Sequence, residues 1–190
     1  RHHAAASKVL MLEPSDSQEV KDFVKEAYRL SEEYDTPVIV RMSTRVAHSQ
    51  SAVELCDREE VGLKEYVKNP QKNVMMPANA KRRHIYVEKR LKDMAEDACS
   101  MPINKVTYND TSIGVITSGI PYQYVKEALP DASVLKLGLI NPLPKKLIEE
   151  FASKVDKLYI IEALEPVIEE QVKSWGIKAV GKEIFTVQGE

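Results

Sequence analysis

The densest run of chemically capable side chains is Arg41-Met42-Ser43-Thr44-Arg45-Val46-Ala47-His48-Ser49, directly after the apolar triplet Val38-Ile39-Val40. An arginine guanidinium can grip a carboxylate or phosphate in a two-pronged fork, and His48 is the only histidine close to such donors. Arg41, Thr44, Arg45 and His48 are therefore the candidate residues of a loop that faces either a bound small molecule or a neighbouring domain. No catalytic residue, cofactor ligand or metal ligand is assignable from spacing alone, and a Ser/His/Asp set is arranged by a fold, not by sequence separation.

Three other loops carry polar groups at the ends of apolar runs. Ser118-Gly119-Ile120-Pro121 can present backbone N–H groups to an anion at a helix start, but with a single glycine and no fixed lysine a plain turn is the preferred reading. Asn141-Pro142-Leu143-Pro144 is rigid and apolar, which suits a structural connection. Glu162-Ala163-Leu164-Glu165 sets two acids near a helix N-terminus, where the macrodipole favours negative charge, so capping or interdomain pairing is preferred to acid–base work. Lys81-Arg82-Arg83 and Lys89-Arg90 are interleaved with acids and have little aromatic stacking surface, the pattern of a solvated or domain-docking face and not of a nucleic-acid stripe.

What the sequence omits narrows the chemistry. Its seven glycines form neither G-x-G-x-x-G nor a P-loop, so phosphate is not cradled in those ways. Cys56 and Cys99 form no C-x-x-C and cannot supply four thiolates to an iron–sulfur cluster or a zinc site. Two lone thiols read as reduced and intracellular. With 43% hydrophobic and 29% charged residues and a net charge of −2, the chain has material for a packed core and no overall bias toward nucleic acid or anionic membranes. No apolar run approaches the roughly 20 residues that span a bilayer, and a cytoplasmic protein is expected. The start at Arg1 without methionine, and the close on Val187-Gln188-Gly189-Glu190 without a terminal helix, read as a piece of a longer polypeptide.

The elements that must position these loops follow from hydrophobic period. Val9 to Leu12 is a short apolar run stopped by Glu13-Pro14-Ser15. Ser15 with Gln18 suggests a capping box, and Val20, Phe23, Val24, Ala27, Leu30 and Tyr34 recur at helical spacing. Val38–Val40 is expected to be a buried strand of a parallel sheet. Ser49 to Asn104 is poorer in apolar periodicity and reads as a connector with one helix, Ala80 to Cys99. From Lys105 the chain alternates: strand Ile113–Thr117, helix Tyr122–Leu129, strand Val134–Leu137, helix Lys145–Val155, strand Leu158–Ile161, helix Pro166–Trp175, strand Ala179-Val180. Strands alternating with helices of this length mean βαβ units, hence an α/β fold with a mainly parallel sheet and flanking helices.

Several of these segments together resemble a known family. Leu12 to Glu19, Asp35-Thr36-Pro37-Val38, Arg41 to Ser49, Ser118 to Tyr124, Leu135-Lys136-Leu137-Gly138, Pro142-Leu143-Pro144 and Val155 to Tyr159 with Glu162 resemble, in the same order and spacing, the thiamine-diphosphate-dependent 2-oxoacid:ferredoxin oxidoreductases. Within that family they are most similar to the large (alpha) subunits of the indolepyruvate ferredoxin oxidoreductases. The resemblance covers almost the whole chain and implies that residues 1–48 close a pyrimidine-binding-type domain, 49–104 connect, and 105–190 form a transketolase C-terminal-like α/β domain.

It further implies a parent enzyme that oxidatively decarboxylates aryl 2-oxoacids such as indolepyruvate to acyl-CoA and carbon dioxide. The parent's cofactors would be thiamine diphosphate, Mg2+ and [4Fe-4S] clusters, and its partners the small beta subunit, ferredoxin, coenzyme A and the remaining domains of the same subunit. The glutamate that activates the aminopyrimidine would lie before Arg1, and the G-D-G motif and cysteine-rich segment beyond Glu190, so this stretch alone is expected to hold no cofactor and to be inactive. Pyruvate or branched-chain 2-oxoacids would use the same architecture. The reading from another class is a noncatalytic α/β docking module.

Overall fold

The computed structural model describes residues 1–184 and 187. The expectation for the chain end therefore lies, at Gln188 to Glu190, outside the described residues. The elements run α1 (His2–Ser7), β1 (Leu10–Leu12), α2 (Ser17–Tyr34), β2 (Val38–Val40), α3 (Thr44–His48), α4 (Pro70–Asn73), α5 (Pro77–Asp97), β3 (Lys105–Thr107), β4 (Asp110–Ser118), α6 (Pro121–Ala128), β5 (Ala132–Leu137), β6 (Leu139–Asn141), α7 (Lys145–Ala152), β7 (Lys157–Ile161) and α8 (Val167–Ser174).

The strands form two sheets, ordered β2-β1-β6 and β3-β5-β4-β7. The pairs β1–β2, β4–β5 and β4–β7 are parallel, as the βαβ pattern requires, while β6 joins β1 and β3 joins β5 antiparallel. Neither β3 nor β6 stands out in the sequence, because β3 has one apolar residue in three and β6 follows β5 after the single residue Gly138. The final strand expected at Ala179-Val180 is reduced to a single bridge from Val180 to Tyr159. The triplet β2 is half-buried rather than buried, because it lies at a sheet edge with β1 on one side only.

The period of two along a strand decides which core each residue enters. In β1, Leu10 and Leu12 face Phe23, Ala27 and Leu30 of α2 and Met94 of α5, whereas Met11 faces the opposite core with Ile116, Leu135, Ile148, Phe151 and Ile160. In β4 and β5, Val115 and Val134 turn toward Val125 of α6, and Ile116 and Leu135 toward α7 and α8. Three residues of β1 thus form the wall between two cores, and β6 ties that wall to the second half of the chain.

The start of α2 corrects the sequence reading by one residue. Its N-cap is Asp16, whose side chain accepts from the Glu19 N–H at 2.8 Å. The Glu19 carboxylate reaches back past the cap to accept from the Ser15 N–H and hydroxyl, both at 2.9 Å, so the helix start is held by Asp16 and Glu19 and not by a Ser15–Gln18 box. The other Glu19 oxygen holds the ammonium of Lys136, a fully buried side chain of β5. Burial works against charge on both groups. Lys136 nevertheless holds the Glu19 carboxyl below the usual carboxylate range, while burial pulls the Lys136 amine below its own.

Asn104 closes the junction between the helical layer and β6. Its Oδ1 accepts from Gly138 N–H and Leu139 N–H at 3.0 Å each, and its Nδ2 donates to the Ala98 carbonyl at 2.8 Å. Gly138 has no alternative here, since a Cβ would run into the Ile103 carbonyl and the Phe23 ring. Asn104→Ala leaves two buried N–H groups without acceptors and should cost about 2–4 kcal/mol in urea unfolding. A loss under about 0.5 kcal/mol would show that water replaces the side chain.

Candidate functional site

A charged residue follows the last apolar position of each of three parallel strands: Glu13 after β1, Arg41 after β2 and Glu162 after β7, with Ser118 ending β4. In open α/β sheets this carboxyl end of the strands is where ligands bind. Here the two sheets turn these ends toward one another, and the charges meet.

Arg1 occupies the centre. Its Nε and Nη2 donate to the two oxygens of Glu13 at 2.7 and 2.8 Å, and its Nη1 donates to Glu162 Oε2 at 2.7 Å and to the Ala163 carbonyl at 3.0 Å. Glu13 also accepts from Arg41 Nη1 at 2.9 Å and from the Ser118 hydroxyl at 2.7 Å. Glu162 is completed by the Ile168 and Glu169 N–H groups at 3.0 and 2.9 Å, so it caps the start of α8. The capping preferred for Glu162 from sequence is what its carboxylate does.

Each buried glutamate of the cluster meets an arginine guanidinium, a condition for burying it. Burial raises the Glu13 carboxyl, but Arg1, Arg41 and Ser118 outweigh burial and hold it below the usual carboxylate range. At Glu162 burial wins over Arg1 and the two N–H groups, and the carboxyl is pushed up. The Arg1 guanidinium pays for its own burial through Glu13 and Glu162, which keep it protonated. The space left among Arg1, Glu13, Arg41, Ser43, Ser118 and Ala163 is about 10 Å³, at most one water.

The candidate loop divides on either side of this cluster. Arg41 turns inward to Glu13, and Ser43 caps α3 by accepting from the Val46 N–H at 3.3 Å. Val46 is buried and pins the helix, while Thr44, Arg45 and His48 are exposed on its outer side. The structure thus brings Arg41 to Glu13 and leaves Arg45 and His48 facing outward. Arg1, Glu13 and Lys136 were not singled out from sequence. The signal that marks the first two is positional: a charge set directly beyond an apolar run, repeated at Leu12-Glu13, Val40-Arg41 and Ile161-Glu162. The turn after β4 is a turn, with Gly119 at φ +57° where a side chain would be strained. Cys56 and Cys99 are free thiols.

A thiamine cofactor asks two things of its protein: a carboxyl free to share a proton with the pyrimidine, and oxygen ligands for a magnesium diphosphate. The buried glutamates among the described residues are Glu13, Glu19, Glu162 and Glu169, and each is already met by an internal cation or N–H donor. Among the described residues no three His, Cys, Asp or Glu side chains converge as a metal site. Among the described residues, then, no buried glutamate is left without an internal partner to share a proton with such a cofactor. No helix among the described residues is long and apolar enough to cross a membrane.

Residues 2–109 match the family model described as pyruvate flavodoxin/ferredoxin oxidoreductase, thiamine diphosphate-binding. The indolepyruvate oxidoreductase subunit IorA of Archaeoglobus fulgidus is 34% identical over 95% of this chain and 30% of its own length. The subunit of that name from Pyrococcus abyssi is 37% identical, again over 95% of this chain and 30% of its own length. The chain thus spans about a third of the curated relatives it matches. Among solved structures, the 2-oxoglutarate:ferredoxin oxidoreductase from Magnetococcus marinus superposes with a TM-score of 0.60 at 14% identity, covering 90% of this chain and 38% of that one. At that identity the likeness is one of fold.

Neutralising Glu13 tests the cluster. Glu13→Gln leaves Arg1 and Arg41 short of a countercharge and should destabilise the chain by about 3–5 kcal/mol at pH 7. Because the folded-state value of Glu13 is depressed, its stabilisation is present above the unfolded carboxylate value of about 4.3 and is lost as pH falls through the folded value. Urea melts of the two proteins should therefore converge as pH falls below about 4. A difference that stays constant from neutral to acid pH would refute an ionised Glu13.

Proposed function

Because the chain belongs to the thiamine-diphosphate-binding family of pyruvate flavodoxin/ferredoxin oxidoreductases, we propose that it is part of the alpha subunit of an indolepyruvate-type 2-oxoacid oxidoreductase. The observation that carries the reading is the family match over residues 2–109, which includes the loop from Arg41 to Ser49 at the carboxyl end of β2. The similarity to curated indolepyruvate oxidoreductase subunits supports the aryl 2-oxoacid as substrate. In this reading the parent releases carbon dioxide, transfers the acyl group to coenzyme A and passes electrons to ferredoxin in the cytoplasm. Its thiamine diphosphate, Mg2+ and [4Fe-4S] clusters are held with residues outside this chain, including those of the remaining domains and a small beta subunit.

The chain's own contribution is positional. Residues 1–48 close the pyrimidine-binding-type domain, 49–104 connect, and 105–190 form the transketolase C-terminal-like domain. Glu13 fixes Arg41 from behind, and Val46 seats α3, so Thr44, Arg45 and His48 lie exposed on a rigid base. In the assembled enzyme that outward face meets the carboxylate of the 2-oxoacid or the domain that covers it. Arginine is suited to the first role because its fork matches a carboxylate and its charge is permanent.

The test uses the full-length subunit with its beta partner, following indolepyruvate- and coenzyme A-dependent reduction of ferredoxin. Arg45→Ala should raise KM for the 2-oxoacid about tenfold or more with a smaller change in kcat, the mark of a lost binding contact. His48→Gln should act in the same direction. Unchanged KM and kcat in both variants would remove the loop from the substrate side, and a preference for pyruvate over indolepyruvate would reassign the substrate. Separately, calorimetric titration of the 190-residue chain with thiamine diphosphate and Mg2+ should give no binding at micromolar levels. Micromolar binding would show that the chain holds a cofactor site of its own.

A further inference from the structure

A cavity of about 590 Å³, within the size range of small-molecule sites, lies between the end of α2 and the C-terminal half of α5. Tyr34 lines it from α2, and Tyr86, Arg90, Glu96 and Asp97 line it from α5. Arg90 is the buried member of this wall, 8% exposed. Its Nη1 donates to the Tyr34 and Asp35 carbonyls at 3.4 and 2.7 Å, where α2 ends and carbonyls lack helical partners. Its Nε is buried without a hydrogen-bond partner, and its Nη2 makes no hydrogen bond among the described residues. Those two nitrogens form the side-on edge of the guanidinium, a pair of parallel donors that matches a carboxylate.

Arg90 also has no ion pair among the described residues, although a buried cation calls for a countercharge. Burial pulls its basicity below the ordinary arginine value. The want of a partner is not a want of acids. Of the four carboxylates around the cavity, Glu33 is taken by Arg29 and Asp93 by Lys89. Glu96 and Asp97 have no cation among the described residues, and Asp97 accepts only from the Tyr34 hydroxyl, at 2.6 Å. One positive and two negative charges thus share a wall without meeting.

The gap between them has a definite size. Glu96 and Asp97 follow Arg90 by six and seven positions on α5, about 9–10 Å along the helix axis. The ammonium and carboxylate of an α-amino acid, with one hydrogen bond at each end, span about 8 Å. A simple anion would be repelled by the acids and a simple cation by Arg90, whereas a ligand that carries both charges satisfies both ends. The remaining wall is aromatic. Tyr34 and Tyr86 supply it, and Tyr86, 44% exposed, has Arg83 over one face at 4.2 Å from the ring centre. A third ring packs against such a pair better than an aliphatic chain does.

We propose that this cavity binds an aromatic α-amino acid, with its carboxylate on the Nε–Nη2 edge of Arg90, its ammonium at Glu96 and Asp97, and its ring against Tyr34 and Tyr86. The bound ligand ties the end of α2 to α5. It thereby braces Asp35 to Pro37, the turn that leads into β2 and on to the loop from Arg41 to Ser49.

Isothermal titration calorimetry of the full-length polypeptide with L-tryptophan as the probe reads the result. The expected outcome is binding with a Kd below about 1 mM. Tryptamine, which lacks the carboxylate, indole-3-propionate, which lacks the ammonium, and L-alanine, which lacks the ring, should each bind about tenfold or more weakly. Glu96→Gln combined with Asp97→Asn should weaken L-tryptophan by about tenfold or more and leave indole-3-propionate unchanged. Both side chains are exposed, so the melting temperature without ligand should stay within about 2 °C of the native value. Arg90→Lys keeps the charge but not the fork, and should weaken L-tryptophan while leaving tryptamine unchanged. No binding at about 5 mM, equal binding of tryptamine or L-alanine, or a double variant that holds L-tryptophan as the native protein does each overturns the proposal.

Discussion

The fold depends on one guanidinium. Arg1 lies between Glu13 and Glu162, and so between the carboxyl ends of β1 and β7, strands that belong to different sheets. Neither carboxylate could be buried without a cation, and Arg1 could not be buried without both. Three charged groups, each prohibitively costly alone, become tolerable only in this arrangement, which fixes the angle at which the two sheets meet. Apolar contacts between the sheets are numerous but adaptable, whereas a five-donor fork satisfied on two sides leaves little freedom.

Two further polar ties repeat the device at a distance. Lys136 on β5 meets Glu19 at the start of α2, and Asn104 holds the β5–β6 turn against the end of α5. The first pair joins the two halves of the chain, and the second joins the end of the helical layer to the sheet. The apolar cores alone would tolerate some sliding of the halves, since the backbone pairing between β1 and the second half runs through the three residues of β6. Buried polar pairs contribute little net stability but reject misregistered arrangements strongly, because any slip strands a charge.

The helices are legible in the sequence because their apolar periods are long enough to count, and the parallel strands because each is an apolar run bounded by turn residues. Helix α5, for example, is read from Val87, Leu91, Met94 and Ala98 on one face. The short antiparallel strands were not legible, since Lys105–Thr107 and Leu139–Asn141 acquire their conformation from β5 and β1 and not from local preference. The candidate loop was found as a cluster of residue types, but its division was hidden. That Arg41 turns in and Arg45 turns out follows from the partner of Arg41, Glu13, which lies 28 positions away. Long-range pairing of charges has no period, so only the recurrence of a charge just beyond an apolar strand hinted at it.

These pairings also separate the chain's structural charges from its available ones. Glu13, Glu19, Glu162, Arg1, Arg41 and Lys136 are saturated and buried or nearly so, and a saturated carboxylate can neither take a proton from a substrate nor bind a metal. At the carboxyl end of the first sheet, groups that meet a ligand must therefore be among the exposed ones on rigid supports, and His48 is exposed there on α3. A five-residue helix fixed by one buried valine and one capping serine keeps such groups in place at the surface. The chain thus spends its buried charges on geometry and leaves to its surface whatever chemistry or contact the assembled protein needs.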